Sequence, residues 1–176
     1  MKYLLFLIAL TAAGWAGGVI EVRGTSSLHD WKMVSHAVSA VMQQENGRIK
    51  TLQVSVVLET LKSDNEALHN DAYAAFGVAR ECPAVFTLSA RKADGSLEGV
   101  IRIGRRENRI TVMPDRMEEG AVAGAFKTQM RRFGVTPPSL FGGILTVEDT
   151  IEITYSISDD GVAIPPVLLR CYFPPE

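Results

Sequence analysis

Side chains that ligate metals or perform chemistry are scarce in this sequence: its 176 residues hold two cysteines and three histidines. Two cysteines are too few for a disulfide-built scaffold or a cysteine-rich zinc site. A basic surplus is also lacking, since 18 Lys and Arg stand against 20 Asp and Glu, a formal charge of -2. Nucleic acid is excluded as a partner on that ground, because its counterions must be displaced by excess positive charge. No Walker loop, Gly-x-Gly-x-x-Gly turn or Gly-x-Ser-x-Gly elbow occurs, so nucleotide chemistry and hydrolase-type acyl transfer have no motif behind them. Beyond the N-terminus, no run is long and apolar enough to span a bilayer as a helix. What is present is apolar bulk. With 47% hydrophobic and 22% charged residues, this is the composition of one globular domain and not of a disordered chain.

The N-terminus has the layout of a secretory signal peptide. Lys2 is followed by an apolar stretch at residues 3–13 (YLLFLIALTAA) and by the small residues Gly14, Ala16, Gly17 and Gly18. The stretch falls short of the roughly 20 apolar residues that a spanning helix needs. Cleavage is expected after Ala16. The chain then divides into a signal peptide at 1–16, one domain at 17–158 and a C-terminal extension at 159–176. Export to the periplasm or beyond the cell would expose Cys82 and Cys171 to oxidising conditions. A bridge between them would close a loop of about 90 residues, worth at most roughly 4.6 kcal/mol in the chain-entropy account. Two separate buried thiols fit the sequence equally well.

Period two dominates the mature chain. Leu145, Val147, Ile151, Ile153, Tyr155 and Ile157 alternate with Thr146, Glu148, Thr150, Glu152, Thr154 and Ser156, the pattern of a half-buried antiparallel strand. Similar alternation covers residues 52–59, 97–103, 109–112 and 122–131. Residues 19–31, 34–43 and 84–90 are β-rich. Turn signals fall at Glu45-Asn46-Gly47, Asp94-Gly95, Arg106-Glu107-Asn108 and Glu118-Glu119-Gly120. One segment has the helical period: Ser63 and Glu66 have capping-box spacing, and Leu68, Ala72, Tyr73, Ala75 and Phe76 share a face. A short helix is expected over about residues 64–76. About eight antiparallel strands with one inserted helix point to an all-β, lipocalin-like barrel, which is filled by its own side chains or holds one small ligand.

Candidates for chemistry are few. His29 and Asp30 adjoin, with Ser26 and Ser27 before them, but neighbours on a strand point to opposite faces and a triad must converge. They are the acid/base pair of an enzyme reading that has no motif behind it. His29 and His36 could share a metal if strands met across a turn at Lys32-Met33, yet no third ligand is evident, and no metal or cofactor is expected. The doublets Arg105-Arg106 and Arg131-Arg132 read as solvated strand ends.

Two stretches carry a resemblance. Gly24-Thr25-Ser26-Ser27-Leu28-His29-Asp30-Trp31 and Phe126-Lys127-Thr128-Gln129-Met130-Arg131-Arg132-Phe133-Gly134-Val135-Thr136-Pro137-Pro138 look like the YceI-like family of exported lipid-binding proteins. Leu61-Lys62-Ser63-Asp64-Asn65, with Tyr73, Pro83 and Phe86 downstream, is similar to the same family. The resemblance covers about residues 19–158. It implies a lipocalin-like antiparallel barrel whose apolar tunnel holds a polyisoprenoid, a quinone-type or another amphiphilic lipid, with no common enzymatic activity. Two departures stand out. Many relatives carry His-Leu-Arg-Ser on the helix where this chain reads Ala67-Leu68-His69-Asn70-Asp71, and Cys82 replaces the usual Tyr before the Pro.

On that reading the chain is a periplasmic or secreted binding protein and not an enzyme. Trp31, Val54, Val56, Phe86, Ile101, Phe126, Met130 and Ile153 are expected to line the tunnel, each being equally a plain core residue. Gly134 permits a positive φ, so Phe133 is expected to leave the strand face at an ordered corner and rim or plug one mouth. A ligand-free interaction barrel with a solid core is the alternative. Which lipid binds, whether a membrane protein exchanges it and whether the domain dimerises are open at this level.

Overall fold

The computed structural model describes residues 14–64, 82–140 and 145–158. Ten strands follow in order: β1 (Gly14–Ser26), β2 (Asp30–Glu45), β3 (Arg48–Val57), β4 (Pro83–Arg91), β5 (Leu97–Ile103), β6 (Arg106–Val112), β7 (Arg116–Glu118), β8 (Ala121–Gln129), β9 (Ser139–Leu140) and β10 (Leu145–Ser158). All pairings between them are antiparallel. Nine strands form one curled path, β6-β5-β4-β3-β2-β1-β10-β8-β7, and β9 pairs with the start of β10. The only helical pieces described are two 3-10 turns, Leu58–Thr60 and Met130–Phe133. The helix expected at 64–76 lies outside the described residues, apart from its first position, Asp64.

Strand count and closure differ from the closed eight-stranded barrel. The eight long strands are the eight runs read from the sequence. β7 and β9, of three and two residues, are added because strands so short show no period. β6 and β7 end the path unpaired with each other among the described residues, so the sheet is a half-barrel with one seam. Side chains bridge that seam where the Met130–Phe133 turn packs beside β6. Asn108 Nδ2 donates to the Arg132 carbonyl, and Arg132 Nη2 donates to the Arg109 carbonyl at 3.2 Å.

Turn chemistry fixes the hairpins. Asn46 and Gly47 both take positive φ, 51° and 68°, which the tight turn between β2 and β3 demands. The β5–β6 turn is made by Gly104 and Arg105. Arg106, Glu107 and Asn108 are already in β6, so the turn falls earlier than the sequence suggests. Ser26 builds the β1–β2 turn: its Oγ donates to the His29 carbonyl at 2.8 Å and accepts from the His29 amide at 3.2 Å. Lys32 and Met33 are therefore inside β2, and His29 and His36 do not oppose each other on paired strands. The alternating run at 122–131 stops being strand at Gln129.

The inner face is mostly apolar, with Ser35 of β2 and Thr128 of β8, the partners of Ile20 and Ile151, as buried polar exceptions. Val38, Met42, Leu52, Leu97, Val112, Val122 and Ile157 are among the buried residues of one cluster. Met33, Leu58, Leu61, Ile103, Met130, Phe133, Val135 and Ile151 form a second, beside the two 3-10 turns. At the first end, Gln44 of β2 ties the β7–β8 turn across the opening: Nε2 donates to the Glu118 carbonyl at 3.0 Å, and Oε1 accepts from the Gly120 amide at 2.7 Å. At the second end, Val34 of β2 exchanges backbone hydrogen bonds with Lys62, at 2.7 and 2.9 Å, which holds the chain after the Leu58–Thr60 turn against the wall.

Candidate functional site

The inner face is not completely filled. It encloses a cavity of about 200 Å³ lined by 26 of the described residues, drawn from all the long strands, both 3-10 ends and the 135–138 corner. Among the described lining residues, only Trp31 and Tyr155 bring a polar side-chain N or O atom. The cavity thus offers dispersion contacts and desolvation to a guest and almost no hydrogen bonding, which selects for apolar chains.

All nine residues read from the sequence as lining sit on this cavity: Trp31, Val54, Val56, Phe86, Ile101, Phe126, Met130, Phe133 and Ile153. Parity brings the strand residues together. Phe126 pairs with Ile153, Val54 with Phe86, and Phe86 with Ile101, and cross-strand partners share a face. Met130 and Phe133 arrive differently, from the 3-10 turn that follows β8, and both are buried. Gly134 closes that turn with φ 74°, and Phe133, 6% exposed, is packed into the second cluster as a sealed plug more than a rim. Lining residues that the sequence reading did not name include Met33, Leu58, Val135 and Tyr155. Tyr155 lay in plain view in the best alternating run; Leu58 and Val135 lie where the chain has left the strands and carries no period.

The two polar lining atoms are both buried and have no hydrogen-bond partner among the described residues. The Trp31 indole lies against Gly24, its cross-strand neighbour, where a Cβ would collide with the ring. Tyr155 is tilted against Phe126, with centroids 6.4 Å apart, and its hydroxyl fits over Gly124. Burial pushes the Tyr155 phenol up to about 12, and the nearby Asp115 carboxylate adds to the shift. Trp31 and Ile151 also border a second, polar groove whose walls include Arg23, Asp30, Lys32, Asp64, Lys127 and Glu152.

His29 and Asp30 do not form a catalytic arrangement. Both are exposed in or beside the β1–β2 turn; Asp30 Oδ1 accepts from Thr25 Oγ1 at 3.0 Å, and His29 is engaged with Ser26 through its backbone. Among the described residues, no three His, Cys, Asp or Glu side chains gather into a metal-binding group. Cys82 is buried and disulfide-bonded, immediately before β4; Cys171, the other cysteine of the chain, lies outside the described residues.

No known protein family and no curated protein matches the sequence. Solved structures do match the fold. BcnA of Burkholderia cenocepacia superposes with a TM-score of 0.61 at 13% identity, covering 80% of this chain and 94% of that one. A polyisoprenoid-binding domain from Saccharophagus degradans, implicated in plant cell wall breakdown, gives 0.56 at 9% identity, covering 83% and 97%. The curled antiparallel sheet around an apolar interior is thus the YceI-like fold that the sequence resembles.

Proposed function

We propose that the chain is an exported binding protein, not an enzyme, that carries or sequesters an amphiphilic lipid with its hydrocarbon part in the cavity. The observation that carries this reading is a continuous, almost wholly apolar lining around unfilled space. A solid core would favour the interaction-module alternative, and the interior is not solid. The likeness to a polyisoprenoid-binding domain adds weight to a lipid guest. Common ligand pockets measure roughly 300–1,000 Å³. The cavity, about 200 Å³, lies below that range, and its apolar lining fits the hydrocarbon part of a polyisoprenoid and of a quinone-type lipid alike.

The barrel wall is apolar inside and carries Glu21, Arg23, Lys32, Lys127 and Glu152 on other positions, the reverse of a membrane-embedded barrel. Among the described residues no helix is long and apolar enough to cross a membrane. Export with cleavage after Ala16 would remove the first three residues of β1, Gly14 to Ala16, which face Met42, Val41 and Ala40. A mature mass starting at Gly17 supports export, and an intact N-terminus in the purified protein argues against it.

Native mass spectrometry of protein recovered from its own compartment, combined with titration of a prenyl alcohol, tests the lipid reading. A bound lipid is expected in the wild type, and Ile101→Trp, which fills the cavity, is expected to fold but bind none. No bound lipid and no binding of farnesol would defeat the reading.

A further inference from the structure

The indole of Trp31 is a donor on the cavity wall that the described residues do not satisfy. Trp31 lines the cavity, its Nε1 is buried, and no described residue accepts from it. An indole nitrogen only donates, and its N–H is fixed in the plane of the ring, so the acceptor must come to it. A buried Trp usually has such an acceptor, and a donor left without one costs stability. The ring is seated on Gly24, where a Cβ would stand 2.9 Å from Nε1.

Polar surface meets the cavity wall at the same place. The β1–β10 ladder shifts register beside Gly24: Gly24 pairs with Ile151 and Ser26 with Val147, so Thr25 alone stands opposite Glu148, Asp149 and Thr150. Thr25, Glu148 and Thr150 wall the polar groove, and Trp31 and Ile151 border both that groove and the cavity. Tyr155, the other lining residue with a buried polar atom lacking a partner among the described residues, is not among the described walls of the groove. Its hydroxyl can also turn about the C–O bond, and it has the Asp115 carboxylate nearby.

The surroundings select an acceptor without charge. None of the described lining residues of the cavity is charged, so an ionised group drawn inside would lose its hydration with no counterion. The groove offers no cationic surplus either, since Arg23, Lys32 and Lys127 stand with Asp30, Asp64, Glu148 and Glu152.

We infer that Trp31 Nε1–H donates to an uncharged oxygen of the guest, the hydroxyl of an isoprenoid alcohol or the carbonyl of a quinone or ester, while the hydrocarbon chain lies in the cavity. This rests on the lipid-binding reading and deepens it by assigning the polar end of the guest.

The test compares farnesol with farnesene, the same carbon skeleton with and without oxygen. In isotope-labelled wild type, the Trp31 indole resonance is the one that persists in Trp15→Phe. Saturating farnesol is expected to move its proton downfield, as a new hydrogen bond does, whereas farnesene binds without that shift. Trp31→Phe keeps an aromatic ring and removes the N–H. It should lower farnesol affinity by about three- to tenfold beyond any change in farnesene affinity, the size of one hydrogen bond. Tyr155→Phe should show no such selectivity. An indole proton that stays in place at saturating farnesol, or equal losses for both probes in Trp31→Phe, would overturn the anchor while leaving the lipid cavity standing. A selective loss in Tyr155→Phe would move the oxygen to that hydroxyl and refute the assignment to Trp31. Failure to bind either probe would instead remove the lipid reading, and this inference with it.

Discussion

The indole of Trp31 rests on the bare Cα of Gly24, its partner across the β1–β2 ladder. Phe86 covers Gly99 in the same way on the β4–β5 side. In both pairs the glycine contributes space, and the aromatic ring supplies the wall that a side chain would otherwise have built.

Gly24→Ala is therefore expected to push the indole off its seat. The cost should be about 1–3 kcal/mol, as for other overpacking substitutions. In a Trp15→Phe background Trp31 is the remaining fluorophore, and its emission should move as the ring shifts. Unchanged emission and an unchanged denaturant midpoint would show that Gly24 and Trp31 are not coupled.

Phe133 is more deeply packed than a gate at a mouth would be. Phe133→Ala should destabilise the protein by about 3–5 kcal/mol, the cost of deleting a buried phenyl ring, and enlarge the cavity. Urea melts of the variant decide the point. A loss under about 1 kcal/mol, together with faster lipid exchange, would make Phe133 a rim residue that controls entry instead.

Tyr155 makes stability fall in strong base. The unfolded phenol ionises near its ordinary value of 10.0, whereas the folded one holds its proton to about 12. The folded state thus binds the extra proton in between. Its stabilising effect is complete below pH 10 and is lost as pH rises through that window. Tyr155→Phe should flatten the fall, because Phe has no proton to lose in that window; it also removes a buried hydroxyl that has no hydrogen-bond partner among the described residues. Equal slopes for wild type and variant in melts at several pH values between 9 and 12 would refute this.

The bridge at Cys82 is expected to reach Cys171, tying the C-terminal extension to the chain just before β4. Peptide mapping without reductant should recover the two cysteines in one linked fragment. Replacing Cys171 with Ser should cost about 2–5 kcal/mol. Alkylation of Cys171 in unreduced protein would show that the bridge has another origin.

How much of this was legible depends on where the period holds. Ile153, Phe126 and Phe86 could be placed on one face because strict alternation fixes parity, and parity fixes the side of the sheet. Alternation also misled. Met130 continues the β8 pattern, yet the strand stops at Gln129, since an inward residue at that position suits a 3-10 turn as well as a strand. Asn108 looked like a turn residue and instead points to the seam, where it holds the Arg132 carbonyl. Gln44 and Gly120, 76 residues apart, hydrogen-bond across the end of the barrel, and the bond from Arg132 to the Arg109 carbonyl across the seam likewise depends on topology. No local pattern encodes contacts of that kind.

The unclosed seam has a consequence for life at high concentration. An open sheet presents two free strand edges, and such edges invite the strands of neighbouring molecules. Here one edge carries exposed Arg106, Glu107 and Arg109, and the other is the three-residue β7, with exposed Arg116 and Glu118, continued by residues 124–129 of β8, where Lys127 and Gln129 are exposed. A second molecule adding a strand to β6 would have to displace the Arg132 bond to the Arg109 carbonyl and strip water from alternating charges. The same row that leaves the barrel open along one line thus works against edge-to-edge pairing between copies of the protein.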